Sequence, residues 1–156
     1  MEQKYELHTL PSVFLLEAWM PDGMVTGLNA YLDELMQEQD RVSHAGTLVG
    51  QIGHGQQLTM DHTDERLADF CQMSAILAID YLKHFNSITG NQATSDRQID
   101  IDELWSVHSY ERDYNPIHDH GTKTITGIST TSWTKVPEQI LNQPTAGSPE
   151  YSLYNS

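Results

Sequence analysis

Apolar side chains recur three or four positions apart early in the chain, which is the pattern of a helix with one buried face. Charged and amide side chains fill the positions between them, so the opposite face of the helix is expected to be exposed to solvent. The turn signal Pro21-Asp22-Gly23 predicts that this helix begins at Asp22 or Gly23, and it should end near Gln39. Strand formers at residues 10–16 predict one short strand that leads into it. The apolar positions of the helix are Met24, Leu28, Tyr31, Leu32, Leu35 and Met36.

A second apolar stripe predicts a longer helix, from Thr63 or Asp64 to about Phe85. Either residue at its start can cap a helix with its side-chain oxygen. Cys71 lies on the stripe, which favours burial as a small hydrophobic residue over nucleophilic chemistry. The stripe consists of Leu67, Phe70, Cys71, Leu77, Ala78, Tyr81, Leu82 and Phe85.

The segment between the two helices, residues 43–60, contains four glycines and no helical periodicity. This composition predicts a loop with one short strand at residues 47–52. His54 stands between two of the glycines, and His62 follows shortly afterwards. Exposed loop histidines are commoner than metal or substrate ligands, so exposure is the favoured interpretation of both.

The character of the chain changes after a polar linker at residues 86–98. Residues 104–110 alternate as in a strand, residues 113–116 carry a turn signal, and residues 122–133 are rich in Thr, Ile, Ser and Trp. A short helix is expected between Pro137 and Leu141, and a strand from Tyr151. The pattern predicts one α+β domain over residues 1–156, mainly helical at 1–98 and β at 99–156.

The excess of acidic over basic residues argues against anionic binding partners. Eight basic residues against 22 acidic ones give a net charge of −14, which repels phosphate backbones and anionic lipid. We therefore expect neither nucleic-acid nor membrane-surface binding. The single cysteine cannot form an internal disulfide, the opening MEQKYELHTL lacks the features of a secretory signal, and no apolar run approaches the roughly 20 residues that cross a bilayer. A reducing cytoplasm is the expected location.

The residues that carry candidate chemistry are His118 and His120. If the segment Ile117-His118-Asp119-His120 is extended, the two imidazoles lie on the same face of the strand and can bind one ion, while Asp119 points away. Two imidazoles at this spacing suit Fe, Zn, Cu or Ni, and a third ligand must come from elsewhere. The spacing His-x-His alone also fits a surface or hydrogen-bonding role.

The context of the pair resembles a known family. The matching residues are Trp105, Tyr110, Tyr114-Asn115-Pro116, His118-Asp119-His120, Thr126-Gly127-Ile128, Val136-Pro137 and, upstream, residues 43–52. They are similar to the Fe(II)/2-oxoglutarate-dependent oxygenases related to prolyl 4-hydroxylases, and most similar to small members encoded by tailed phages of cyanobacteria. The resemblance extends along most of the chain.

The resemblance implies two helices packed on a double-stranded β-helix, a distorted jelly roll. It also implies Fe(II) as the metal and 2-oxoglutarate as the cosubstrate, with His118 as the first ligand and His120 where a carboxylate is usual. Tyr110 lies near the position from which a family tyrosine contacts the cosubstrate. The implied activity is hydroxylation of a protein or small-molecule substrate in the cytoplasm, that of the bacterial host if the gene belongs to a phage.

The sequence departs from the family pattern in two ways. His120 replaces the usual carboxylate, which leaves the site one negative charge short. No histidine follows His120, and the only later basic residues are Lys123 and Lys135, so the family's distal histidine and cosubstrate-binding arginine have no counterpart. We expect a C-terminally shortened jelly roll, whose open strand edges favour a homo-oligomer or an assembly partner.

Several alternatives stay open at this point. His108 could supply a third ligand or occupy a hydrogen-bonded core position, and the second is favoured. His54 and His62 could do so only if the glycine loop folds across the mouth of the site. The rival function is a non-catalytic phage structural or assembly protein that keeps the scaffold for binding. A zinc-binding module is the third interpretation and needs two further ligands.

Overall fold

A computed structural model describes residues 5–10, 13–47, 53–90, 99–114 and 127–142 of the chain. This part of the protein mixes helices and strands, in agreement with the α+β expectation. In chain order its elements are β1 (Tyr5–Leu10), β2 (Val13–Ala18), α1 (Asp22–Leu35), β3 (Gln56–Thr59), α2 (Ala68–Thr89), β4 (Trp105–His108) and α3 (Glu138–Leu141).

The first two strands form an antiparallel hairpin that packs on α2. Their register runs from the pair Tyr5 and Ala18 to the pair Leu10 and Val13. The Phe14 ring meets Phe85 edge-on, with 5.3 Å between ring centroids. The strand expected at residues 10–16, leading into the helix, is confirmed over residues 13–16 by β2, whereas β1 was not predicted. The residues of β1 already alternate in the sequence YELHTL, which is the period of a strand.

The core of the described chain lies where α1 meets β3 and the start of α2. Leu28, Tyr31 and Leu35 form the buried stripe of α1, as their spacing predicts, although the helix ends at Leu35 rather than near Gln39. Leu58 of β3 and Leu67 are fully buried in the same cluster. Burying one such side chain stabilises the fold by about 1.5–3 kcal/mol.

The second helix begins later and ends later than its pattern indicates. A single 3-10 turn at Glu65–Leu67 precedes it, and the Asp64 carboxylate caps this turn by accepting the Arg66 N–H at 2.9 Å. The helix ends at Thr89 and is capped by Gly90, whose φ of 70° is a left-handed conformation that costs glycine little. The Gly90 N–H donates to the carbonyl of Asn86 at 2.9 Å, which closes the last turn.

The strands β3 and β4 form a second antiparallel pair. Gln56 lies opposite His108 and Thr59 opposite Trp105, and the Met60 N–H extends the pairing by donating to the Leu104 carbonyl at 2.9 Å. The strand expected at residues 104–110 is therefore confirmed over β4. A strand was expected at residues 47–52. Its first residue, Thr47, ends a 3-10 turn instead, and residues 48–52 lie outside the described part.

The described C-terminal residues cross the outside of α1. The Thr134 carbonyl accepts a hydrogen bond from Asn29 at 3.1 Å, and Lys135 forms an ion pair with Asp33 at 2.6 Å. The short helix expected before Leu141 is confirmed as α3. Residues 127–133 form no strand, whereas the sequence predicted β structure there. The double-stranded β-helix therefore stays a prediction, because the described strands form two separate antiparallel pairs.

Membrane insertion by a helix has no candidate among the described residues, since none of their helices combines the length and the apolarity that a span requires.

Candidate functional site

A tight turn follows β4 and contains Tyr110, the residue predicted to contact the cosubstrate. The Asp113 N–H donates to the carbonyl of Tyr110 at 3.0 Å, and the Asp113 carboxylate returns to accept the Tyr110 N–H at 2.9 Å. Arg112, within this turn, has a φ of 74°. A side-chain-bearing residue rarely adopts this left-handed conformation, so the turn is held by its surroundings rather than by the preference of Arg112.

The same Asp113 carboxylate binds the glycine loop, sixty residues away in the sequence. Its Oδ1 accepts the Gly53 N–H at 2.7 Å and the His54 N–H at 3.3 Å. These donors, the Tyr110 N–H first among them, hold the pKa of Asp113 below its usual range because they stabilise the charged carboxylate. Asp113 therefore joins the loop to the turn as an ionised group.

The glycine loop and the turn together line an open cleft of about 500 Å³, called here the Tyr110 cleft. It offers an imidazole, a phenol, a carboxylate and a guanidinium to a ligand, and the imidazole of His54 and the phenol of Tyr110 are both exposed. The lining residues are Gly53, His54, Tyr110, Glu111, Arg112 and Asp113.

The two predicted metal ligands, His118 and His120, lie outside the described residues. Tyr110 lies inside them and lines the cleft that bears its name, with 54% of its surface exposed. Among the described residues, no group of three His, Cys, Asp or Glu side chains comes together as a metal site would require.

Only one of the two loop histidines reaches the Tyr110 cleft. His54 precedes β3 and His62 follows it, so the length of this strand separates them, and the glycine loop folds against the Tyr110 turn on the His54 side. His62 is exposed, and its backbone carbonyl accepts the Cys71 thiol at 3.7 Å. Burial raises the pKa of Cys71, which disfavours the reactive thiolate and agrees with its expected hydrophobic role.

His108 occupies the hydrogen-bonded position that the sequence favoured. Its Nε2 lies 3.0 Å from the hydroxyl of Ser106, which is buried on the same face of β4. Burial and, to a smaller extent, the charge of Lys135 lower the pKa of His108, while Asp33 opposes them. The i, i+2 spacing of Ser106 and His108 on a strand was the signal that could have found this pair.

Comparison of the chain with protein-family models, with curated proteins and with solved structures finds no match. The oxygenase resemblance therefore depends on the motif residues quoted above, and the function must be argued from those residues and from the geometry around Tyr110.

Proposed function

We propose that this protein is an Fe(II)/2-oxoglutarate-dependent dioxygenase that hydroxylates a protein or small-molecule substrate. The metal ligands proposed are His118 and His120, which would project from one face of an extended segment. The observation that supports the proposal is the Tyr110 cleft, because it gathers polar and ionisable side chains immediately before the His-x-His segment in the chain.

The residues fit this metal in their chemistry. Neutral imidazole is a good ligand for divalent iron, and the ligand set requires a pH at which the rings are unprotonated. Bound Fe(II) and 2-oxoglutarate would supply the chemistry by which O2 hydroxylates a C–H bond, with one oxygen atom entering the substrate and the other entering succinate as CO2 is released. In this proposal, His118 and His120 hold the ion, and the phenol of Tyr110 donates a hydrogen bond to a cosubstrate carboxylate. Its exposure in the cleft leaves the hydroxyl accessible for that contact.

The electrostatics of the chain favour a cation in this region. Its net charge is −14, and carboxylates of Glu111 and Asp113 line the cleft. Because His120 stands where a carboxylate is usual, the ligands themselves add no negative charge, and these neighbouring carboxylates would partly compensate. The unpaired Cys71 is in keeping with the reducing, cytoplasmic location that the proposal includes.

The test is an anaerobic titration of the chain with 2-oxoglutarate in the presence of Fe(II), followed by the weak visible charge-transfer band of the ternary complex. We expect the band to grow and saturate in the wild type and in the matched control His62→Ala. It should be lost in His118→Ala and weakened in Tyr110→Phe. A wild type that binds iron without developing the band would contradict the assignment of the cosubstrate, and a band retained by His118→Ala would contradict the assignment of the metal ligand.

A second candidate is a non-catalytic structural or assembly protein that keeps the scaffold for binding a partner or a second copy of itself. One observation favours it. Large apolar side chains are exposed on the described surface, including Trp133 at 74% and Leu141 at 68%. This candidate predicts that purified chain binds neither Fe(II) nor 2-oxoglutarate. A zinc module, the third alternative, predicts binding of Zn(II) without any cosubstrate band.

A further inference from the structure

We propose that the contact between the C-terminal segment and α1 is a pH-sensitive clasp that opens when His108 gains a proton. The clasp is defined here as the hydrogen bond from Asn29 to the Thr134 carbonyl together with the ion pair between Lys135 and Asp33. The inference goes beyond the proposed function and does not depend on it, because none of these side chains is assigned to the metal or to the cosubstrate.

The first support is the position of His108 close to both charges of the clasp. Its ring is half-buried on β4, where Nε2 lies 3.0 Å from the Ser106 hydroxyl. The ammonium of Lys135 and the carboxylate of Asp33 both act on the ring, and the first disfavours a proton there while the second favours it. A proton on His108 therefore changes the electrostatic energy of the two groups that form the ion pair.

The strand beside His108 leaves this balance unchanged. On β3, the residue opposite His108 is Gln56, which is neutral. The side-chain oxygen of Gln56 accepts the Arg41 Nε–H at 2.9 Å, so this nearby cation is bound to the amide. Among the described residues, the charges that act on the ring of His108 are therefore those of the clasp itself.

The second support is the direction in which a proton shifts the clasp. Burial disfavours the charged ring and the Lys135 ammonium repels it, so the pKa of His108 lies below its ordinary value when the clasp is closed. When the segment leaves α1, this repulsion disappears, and Asp33 loses its lysine partner and can attract the imidazolium. The open form therefore binds the proton more tightly than the closed form, and by linkage a fall in pH favours opening.

The third support is that the contacts of the clasp are individually weak. The ion pair joins side chains that are 61% and 62% exposed, so it contributes little stability. The Asn29 Oδ1 is buried without a hydrogen-bond partner in the described part of the chain, which leaves its desolvation uncompensated. Trp133, next to the clasp, is 74% exposed and adds little packing. One new charge is therefore enough to shift the balance between the closed and open forms.

The test follows Trp133 by fluorine NMR in the full chain labelled with fluorotryptophan, from about pH 7.5 to about pH 5, the range in which histidine titrates. The Trp133 signal is identified by its loss in Trp133→Phe, and the Trp19 signal reports on the rest of the fold. We expect the Trp133 signal to move as one proton binds, with a midpoint below the ordinary histidine value. The ratio of open to closed forms should rise by about 5-fold, the low end of typical coupling between two sites.

Three variants assign this movement to the clasp. His108→Gln should remove the pH dependence, because glutamine can still bond to Ser106 but gains no proton. Lys135→Gln should hold the Trp133 signal near its acid position at every pH, because the ion pair with Asp33 is lost. His62→Gln is the matched control, since His62 is exposed and lies beyond the other end of β3, and it should titrate as the wild type does.

The contrary outcomes are equally definite. A wild-type Trp133 signal that stays constant over the whole pH range would overturn the inference, as would an unchanged titration in His108→Gln or in Lys135→Gln. Movement of the Trp19 signal with the same midpoint would also overturn it, because acid would then unfold the chain rather than open the clasp. Lys135 is exposed and has no packing role, so its variant decides the question even if His108→Gln fails to fold.

Discussion

The conformation of Arg112 allows a direct test of the turn that organises the Tyr110 cleft. Its φ of 74° places a bulky residue in the left-handed region, at a cost of roughly 1–2 kcal/mol that glycine does not incur. Asp113 holds the turn by accepting N–H groups from Tyr110 and from the glycine loop, so the backbone cannot relax away from this conformation. We expect glycine at this position to stabilise the protein relative to alanine.

The comparison needs four variants, with alanine and glycine at Arg112 and at its neighbour Glu111. Glu111 has no positive φ, so its change from alanine to glycine should cost about 0.4–1 kcal/mol in unfolded-state entropy. At position 112 the change from alanine to glycine has the same entropic cost, but it also relieves the strain of the left-handed conformation, which offsets that cost. The charge is equal within each Ala and Gly pair. The Glu111–Arg112 ion pair, 3.6 Å long with both side chains 89% exposed, contributes little in any case.

The difference between the two alanine-to-glycine steps isolates the strain, and we expect it to be about 1–2 kcal/mol in favour of glycine at position 112. For a chain of this size that corresponds to roughly 2–8 °C in Tm. Urea denaturation followed by circular dichroism measures the free energy of unfolding of each variant. Equal losses on introducing glycine at both positions would refute the left-handed turn and, with it, the described shape of the cleft.

Further predictions concern the core, the hairpin and pH. Leu58→Ala should lower the free energy of unfolding by about 2–5 kcal/mol, because Leu58 is fully buried. Val42→Ala is the control and should change it by less than about 0.5 kcal/mol, because Val42 is 62% exposed. Similar values for the two variants would contradict the described core. Tyr81→Phe should cost about 1 kcal/mol in the same assay, since the Tyr81 hydroxyl donates to the Phe14 carbonyl at 3.2 Å, and an unchanged stability would argue against that contact. Burial lowers the pKa of His108, so its imidazole binds a proton more readily in the unfolded chain than in the folded one. The free energy of unfolding should therefore fall as the pH drops from about 6.5 toward the folded-state pKa. His108→Gln should remove that part of the pH dependence. Parallel pH–stability curves for the wild type and the His108 variant would contradict this.

Local patterns predicted the elements whose signals lie among neighbouring residues. The apolar spacing that identified α1 and α2 and the alternation that identified β4 are properties of short segments, so the sequence alone could locate them. Their ends were less predictable, because the end of α1 at Leu35 and the extension of α2 to Thr89 depend on packing and on the Gly90 cap.

The Tyr110 cleft could not be predicted in the same way. It depends on Asp113 accepting backbone N–H groups from Gly53 and His54, and every residue except proline carries such a donor. Nothing in the sequence therefore distinguished His54 from His62, although only His54 lies at the cleft. The turn residue Asp113 was recognised, but the turn it closes begins at Tyr110, earlier than the predicted turn at residues 113–116.

The central claim is that His118 and His120 bind one metal ion. Its most direct measurement is the Fe(II) content per chain after anaerobic equilibration and removal of free metal, for the wild type, for His62→Ala and for the double variant His118→Ala/His120→Ala. The account predicts one bound iron in the first two proteins and none in the double variant. Iron retained by the double variant, or absent from the wild type, would contradict it.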